Sequence, residues 1–248
     1  MGSHHYCADF ISVFLTCVFP KSRSLRKSFL FASERAMTKP TLLLHICCAP
    51  CATYVVRTLR ERFDVVGYFC NPNIHPEEEY ALRLREMKRY AEEIGLRMIV
   101  AEDETDRWYE ATRGTEQEPE GGERCAICYR FRMEKTARFA REHGIFHFAT
   151  TLTISPHKKA AVIHPIGREL ADLYGAAFYE ADFKKRNGFK ISCRMSREAG
   201  LYRQDYCGCI FSKQERERGK RVKDKGERKK DKRRGRDFPF PLSPCGLR

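Results

Sequence analysis

The 248-residue sequence has no phosphate-binding glycine loop: GxxxxGK followed by Ser or Thr, GxGxxG and an SGGxDS stretch are all missing. Such loops present backbone N–H groups to phosphate, so nothing in the chain speaks for ATP or a dinucleotide. Long apolar runs are lacking too. Tyr6 to Pro20 is apolar, but it falls short of the roughly 20 residues that span a bilayer. No basic stretch precedes it and no clear small-residue cleavage site follows, which argues against a secretion signal. Net charge is scarce in the middle of the chain. Of the formal +14, residues 41–212 hold 26 basic against 25 acidic side chains, while residues 1–40 contribute +4 and residues 213–248 contribute +9. Internal repeats are absent, and the 42% hydrophobic content is enough to bury a core, with the charge distribution favouring one domain.

What the sequence has in abundance is cysteine, 12 in all. In a chain without a convincing export signal this points to metal or redox chemistry rather than a disulfide framework. Seven of the thiols fall in three clusters: Cys47, Cys48 and Cys51; Cys125 and Cys128; Cys207 and Cys209. Cys70 and Cys193 stand alone and read as ordinary buried thiols.

The first cluster lies in His45-Ile46-Cys47-Cys48-Ala49-Pro50-Cys51. The apolar run Thr41-Leu42-Leu43-Leu44 precedes it, and Ala52, Val55, Val56, Leu59 and Phe63 follow at helical spacing. This reads as strand, tight turn and helix, with Pro50 at the first helical turn where its missing N–H is no loss. In open α/β sheets ligands bind at that edge, and a helix N-terminus favours the thiolate form that binds metal.

Further strands are expected at Asp64–Cys70, Leu96–Val100, Ile145–Thr150 and near Phe178, alternating with helices after Glu77 and from Cys125 to Gly144. Gly114 to Gly122 reads as a polar surface loop. Ser155 is expected to cap a helix that starts at Pro156, runs toward Gly175 and breaks near Pro165. The alternation predicts a parallel sheet with helices on both faces. Residues 1–40 form an N-terminal extension; Met37 just before the first strand fits a start codon placed too far upstream, or an appended segment. Residues 41–212 form the folded domain, and residues 213–248 read as a basic disordered tail with almost nothing apolar up to Arg236.

Two knuckles about 80 residues apart do not resemble a compact structural zinc module, and the side chains of adjacent cysteines are expected to diverge. A 4Fe-4S cluster on Cys47, Cys48, Cys125 and Cys128 therefore fits better than zinc. Cys51 is left as a fifth ligand, a ligand to a second metal, or a helix N-terminal thiol. Cys207-Gly208-Cys209 can serve a metal or close a small strained disulfide, and strained disulfides are the labile ones; a redox-active dithiol is the favoured reading.

These stretches, with Asn71-Pro72-Asn73-Ile74-His75-Pro76, Ser155-Pro156-His157-Lys158 and Leu201-Tyr202-Arg203-Gln204, occur in order from about Thr41 to Ser212. Together they resemble the QueH-type, cobalamin-independent epoxyqueuosine reductases. The resemblance implies a Rossmann-like (HUP-type) fold and reduction of epoxyqueuosine to queuosine at the tRNA wobble position, an oxidoreductase activity completing queuosine biosynthesis. It also implies a 4Fe-4S cluster on Cys47, Cys48, Cys125 and Cys128, and a redox-active Cys207–Cys209 pair. Some members carry Asp at the position of Cys51, which suits a ligand to an additional mononuclear iron. Lys159, Cys193 and both extensions depart from the family pattern and inherit no role.

Removing the epoxide oxygen as water takes two electrons and two protons. Candidate proton donors are Cys207, Cys209, His45, His75, His157 and Tyr206, with local hydrogen bonding the bland reading for each histidine. His157, Lys158 and Arg203 are the candidate substrate-binding residues. Lys184, Lys185, Arg186 and Lys190 are further candidates for phosphate contacts, and Tyr129, Phe189 and Tyr202 for base stacking. Expected partners are a tRNA anticodon stem-loop carrying epoxyqueuosine and an external electron donor, with no membrane and a cytoplasmic location. The alternatives are a cluster-dependent tRNA sulfurtransferase, disfavoured by the missing pyrophosphatase loop, and a non-enzymatic zinc-bound RNA-binding module.

Overall fold

The computed structural model describes residues 39–219. Expectations on residues 1–38 and 220–248, including the early apolar stretch and most of the basic tail, lie outside the described residues. Five strands alternate with helices: β1 (Thr41–Ile46), α1 (Ala49–Leu59), β2 (Asp64–Phe69), α2 (Glu77–Glu93), β3 (Met98–Val100), α3 (Thr105–Ala111), α4 (Glu123–Glu142), β4 (His147–Thr150), α5 (Ala160–Tyr174), β5 (Ala177–Phe178) and α6 (Gly188–Glu198). Residues 210–219 add a last helical stretch. All strands pair parallel in the order β3-β2-β1-β4-β5, with Leu42 beside Val65 on one side and His147 on the other.

Side chains alternate across a strand, so β1 feeds two cores. Leu42, Leu44 and Ile46 pack with α1 and α2, whereas Leu43 packs with residues of α4 and α5 such as Met133, Ala137 and Leu170. This is the expected α/β Rossmann-like sheet covered on both faces. The chain leaves β1 toward β2 on one side and later returns beside it as β4. Strand order reverses there, and the crevice outside the strand ends is where such sheets place ligands.

Several local expectations change. The Leu96 strand begins two residues later, at Met98, and Leu96 is buried in the core beside α2. The helix expected from Pro156 starts at Ala160, because Leu152–Ile154 form a 3-10 turn and the Ser155 hydroxyl accepts the His157 N–H at 3.3 Å. Pro165 does not break α5, which runs on to Gly175, whose left-handed backbone (φ 60°) ends it. The boundary placed after residue 212 falls inside the helix over 210–219. Helix α6 was not anticipated at all.

Candidate active site

The turn after β1 gathers three sulfurs. Cys48 is the N-cap of α1, with an extended backbone, and the thiols of Cys47, Cys48 and Cys51 lie within 4.8 Å of one another. The Cys47 and Cys48 sulfurs are 3.8 Å apart, and the Cys48 thiol donates to Cys51 at 2.9 Å. Adjacent Cys47 and Cys48 therefore converge, contrary to the expectation that they diverge. The Thr151 hydroxyl, just past the end of β4, accepts the Cys47 N–H at 3.1 Å and donates to its sulfur at 3.4 Å. Hydrogen bonds from Cys48 and Cys51 hold the Cys47 thiol well below its usual range, and the hydrogen bond to Cys47 pushes Cys48 up to about 12.

Cys125 and Cys128 sit in the first turns of α4, both buried, and burial raises both thiols. They do not join the close triad. What ties them to it is Arg132, one helical turn on and 1% exposed. Its Nη2 donates to Asn71 Oδ1 at 2.6 Å and its Nε to the Cys70 carbonyl at 3.3 Å, while Nη1 reaches the Cys128 sulfur at 3.9 Å. Asn71 Nδ2 in turn donates to the Ile46 carbonyl at 2.9 Å, next to Cys47.

Cys207 lines a cavity of about 450 Å³ together with Cys47, Cys51, Arg132, Lys158 and Tyr206. Cys209 is instead packed with Trp108 and Cys128, and burial pushes its thiol up to about 12. Both are free thiols. Of the expected substrate-binding residues, His157, Lys158 and Arg203 all line the cavity. Lys158 is nearly buried; burial works against its charge, but the sulfurs of Cys207 and Cys47 more than offset that and hold its pKa above the ordinary lysine value. Among the described residues no carboxylate is ion-paired with Lys158 or Arg132. Arg203 turns its guanidinium to α6, donating to Ser196 Oγ at 2.5 Å and the Cys193 sulfur at 3.2 Å. Phe189 is 38% exposed at the cavity wall.

His45 is fully buried away from the cavity. Its Nε2 faces the Cys70 carbonyl at 3.1 Å, which can only accept, so Nε2 carries the proton and Nδ1 accepts from the Thr150 hydroxyl at 2.9 Å. Burial, aided by Arg132, lowers its pKa to about 3. A neutral ring with its one proton engaged is no proton donor to substrate. Folding thus opposes protonation, so stability is complete above about pH 6.5 and is lost as pH falls toward 3. His45→Gln is expected to flatten this fall, read by chemical denaturation across that range. His75 faces Trp108 and Tyr109 rather than the cavity.

The sequence reading missed the clamp on the Cys207 loop. Arg83 on α2, its side chain 2% exposed, donates to the carbonyls of Cys207 at 2.9 Å and Tyr206 at 3.3 Å and pairs with Glu79 at 2.7 Å. The Tyr202 hydroxyl donates to the same carboxylate at 3.1 Å. Arg83→Ala leaves the largely buried Glu79 carboxylate with the Tyr202 hydroxyl but no cation, and two carbonyls without their Arg83 donor. Removing one partner of a buried pair costs about 3–5 kcal/mol, so a loss near the lower figure is expected in urea denaturation, with turnover falling at least about tenfold. Arg124 was likewise given no role. Buried at the start of α4, it donates to the carbonyls of Thr115, Glu116 and Glu118 and stacks 4.7 Å from the Phe211 ring, joining the 210–219 helix to the CxxC turn.

Among the described residues no helix is long and apolar enough to cross a membrane. The family model for epoxyqueuosine reductase QueH matches residues 42–215. The chain is 38% identical over 185 residues to the epoxyqueuosine reductase QueH of Streptococcus pyogenes serotype M1, covering 72% of each chain. To that of Thermotoga maritima it is 37% identical over 179 residues, 71% of this chain and 92% of the relative. Among solved structures, the U34-tRNA thiolase NcsA from Methanococcus maripaludis with its 4Fe-4S cluster is similar at 12% identity, with a TM-score of 0.46 over 85% of this chain and 77% of that one. With the order of its motifs kept across a match of that length, the chain belongs to the epoxyqueuosine reductase QueH family.

Proposed function

We propose that this protein reduces epoxyqueuosine to queuosine in tRNA, at the cavity where β1 and β4 end. The observation that carries the reading beyond family membership is charge: two buried cations, Lys158 and Arg132, face sulfurs and, among the described residues, no paired carboxylate. Buried cations need anionic compensation, and thiolates holding a metal group supply it.

The donor set fits an iron-sulfur group. Cys47, Cys48, Cys125 and Cys128 would hold a 4Fe-4S cluster, with Cys51 facing an additional mononuclear iron. A second reading is favoured by the close triad: one metal ion on Cys47, Cys48 and Cys51. A cluster bound here would supply single electrons from an external donor. The rest falls to the chain's own side chains. Lys158 is placed to stabilise and protonate oxygen leaving the substrate, and the Tyr206 phenol, pushed up to about 12 by burial, stays neutral and donates to the His75 carbonyl at 2.5 Å. The buried Gln204 Oε1 lines the cavity without a hydrogen-bond partner and is free to accept from the N–H edge of a guanine-like base.

An anticodon nucleotide splayed out of its loop would fill the cavity, with His157 at hand for phosphates. The working unit is proposed as residues 41–212 extended through the helix to 219, in the cytoplasm, where modified tRNA acts. The test is anaerobic incubation of the reduced protein with epoxyqueuosine-containing tRNA, followed by digestion and nucleoside mass analysis. Loss of one oxygen from the nucleoside is expected; sulfur incorporation dependent on ATP would favour a sulfurtransferase instead.

A further inference from the structure

The Cys207-Gly208-Cys209 stretch places its two thiols in different surroundings. Cys207 lines the cavity beside Lys158, whereas Cys209 is 6% exposed behind it, against Trp108 and Cys128, and accepts the Ser212 N–H at 3.4 Å. The backbone between them is fastened on every side. Arg83 holds the carbonyls of Tyr206 and Cys207, the His75 N–H donates to the Gly208 carbonyl at 2.8 Å, and the Cys207 N–H donates to Ser212 Oγ at 3.2 Å. Gly208 has φ 125°, a backbone that strains any other residue, and a Cβ there would stand 3.0 Å from both Arg83 Nη1 and Ile74 Cγ1. One thiol is presented to the substrate and the other is kept in reserve two residues away.

Resting on the reductase reading above, we propose that Cys207 bonds covalently to an epoxide carbon of the substrate and that Cys209 then releases the product by closing a disulfide with Cys207. In the first step the Cys207 sulfur gives an electron pair to one epoxide carbon. The C–O bond at that carbon breaks, and the alkoxide left on its neighbour takes a proton from the Lys158 ammonium, which recovers one from the Cys207 thiol. Backside opening leaves sulfur and hydroxyl anti to each other, the geometry elimination needs. In the second step the Cys209 thiol attacks the Cys207 sulfur and gives its proton to the departing hydroxyl. The S–S bond forms, the C–S bond breaks, its electron pair becomes the second bond between the two carbons, and the hydroxyl leaves and is protonated to water. In sum, an epoxide and two thiols become an alkene, water and a disulfide; an external donor then returns two electrons and two protons to the pair.

The test is single turnover of the metal-loaded protein with epoxyqueuosine-containing tRNA under anaerobic conditions. Cys209→Ser is expected to accumulate a protein–tRNA species stable on a denaturing gel, mapped by peptide mass to Cys207, with multiple-turnover activity reduced at least about a thousandfold; Cys207→Ser should form none. Wild-type protein with no donor present should yield one queuosine per chain and a disulfide in the peptide spanning Cys207 and Cys209. That wild-type measurement decides the matter even if a variant fails to fold. Queuosine formed while both thiols stay free, or Cys209→Ser cycling at the wild-type rate, would overturn the proposal and leave the reductase reading standing. Wild-type protein that converts no epoxyqueuosine even with a donor would overturn both.

Discussion

Alanine at Cys125 or Cys128 is expected to strip the protein of about four irons per chain and of its brown colour, as expected for a 4Fe-4S cluster with a ligand removed. The same result is expected for Cys47 and Cys48. Cys51→Ala should retain the cluster and lose about one iron, because in this assignment it faces a separate ion. These variants separate the two metal readings. If a single ion rests on the close triad, Cys51→Ala removes all metal, and Cys125→Ala and Cys128→Ala remove none. Cys70→Ala is the control. Its thiol is 1% exposed and is pushed up to about 12 by burial, so it should keep its metal. Iron and sulfide analysis of anaerobically purified protein reads every case.

The site's location was legible because its signals are local. A run of leucines ends in thiols and is followed at once by helical spacing, and the same arrangement of thiols at a helix start recurs at Cys125. The periodicity of strand and helix then fixes which sheet edge they share. The convergence of the Cys47 and Cys48 sulfurs was not legible, since it depends on the extended backbone of Cys48 and on Thr151, more than a hundred residues away.

Helix α6 was illegible for a different reason. The residues it buries are Gly188, Ser192 and Ser196, small groups that let it approach α1 closely, with Ser192 Oγ donating to the Pro50 carbonyl at 2.8 Å. Such a face lacks the large apolar side chains by which a buried helix stripe is ordinarily recognised. Arg83 and Arg132 were overlooked because a helical arginine is ordinarily solvated. Each is buried by partners supplied from distant loops, at Cys207 and at Asn71 respectively. In hindsight there was one local signal: Cys125, Cys128 and Arg132 share a helix face, which places a cation under the thiols. Ser155 and Pro156 carried a true turn signal misread as a cap. Because they turn instead of starting the helix, Lys158, two residues beyond Pro156, is delivered into the cavity.

Lys158→Met is expected to keep its metal and lower turnover by about 10²–10⁴, the range for removing a positioned proton donor. Methionine preserves length and apolar contact, so the loss isolates the ammonium. The alternative is that Lys158 only offsets the charge of buried sulfur. In that case Lys158→Met should shed metal and destabilise the fold, with activity falling in proportion to the metal lost. Lys158→Arg separates the roles further. A guanidinium supplies the same charge but does not release its proton at accessible pH, so it restores metal retention under either role and turnover only under the electrostatic one. The sulfurs of Cys207 and Cys47 hold the Lys158 pKa above the ordinary lysine value, so the ammonium is fully protonated at neutral pH. Wild-type turnover should therefore show no loss from this group as pH is raised from 7 to 9. A decline over that range that vanished in Lys158→Met would assign the group a free-amine role and end the proton-donor account.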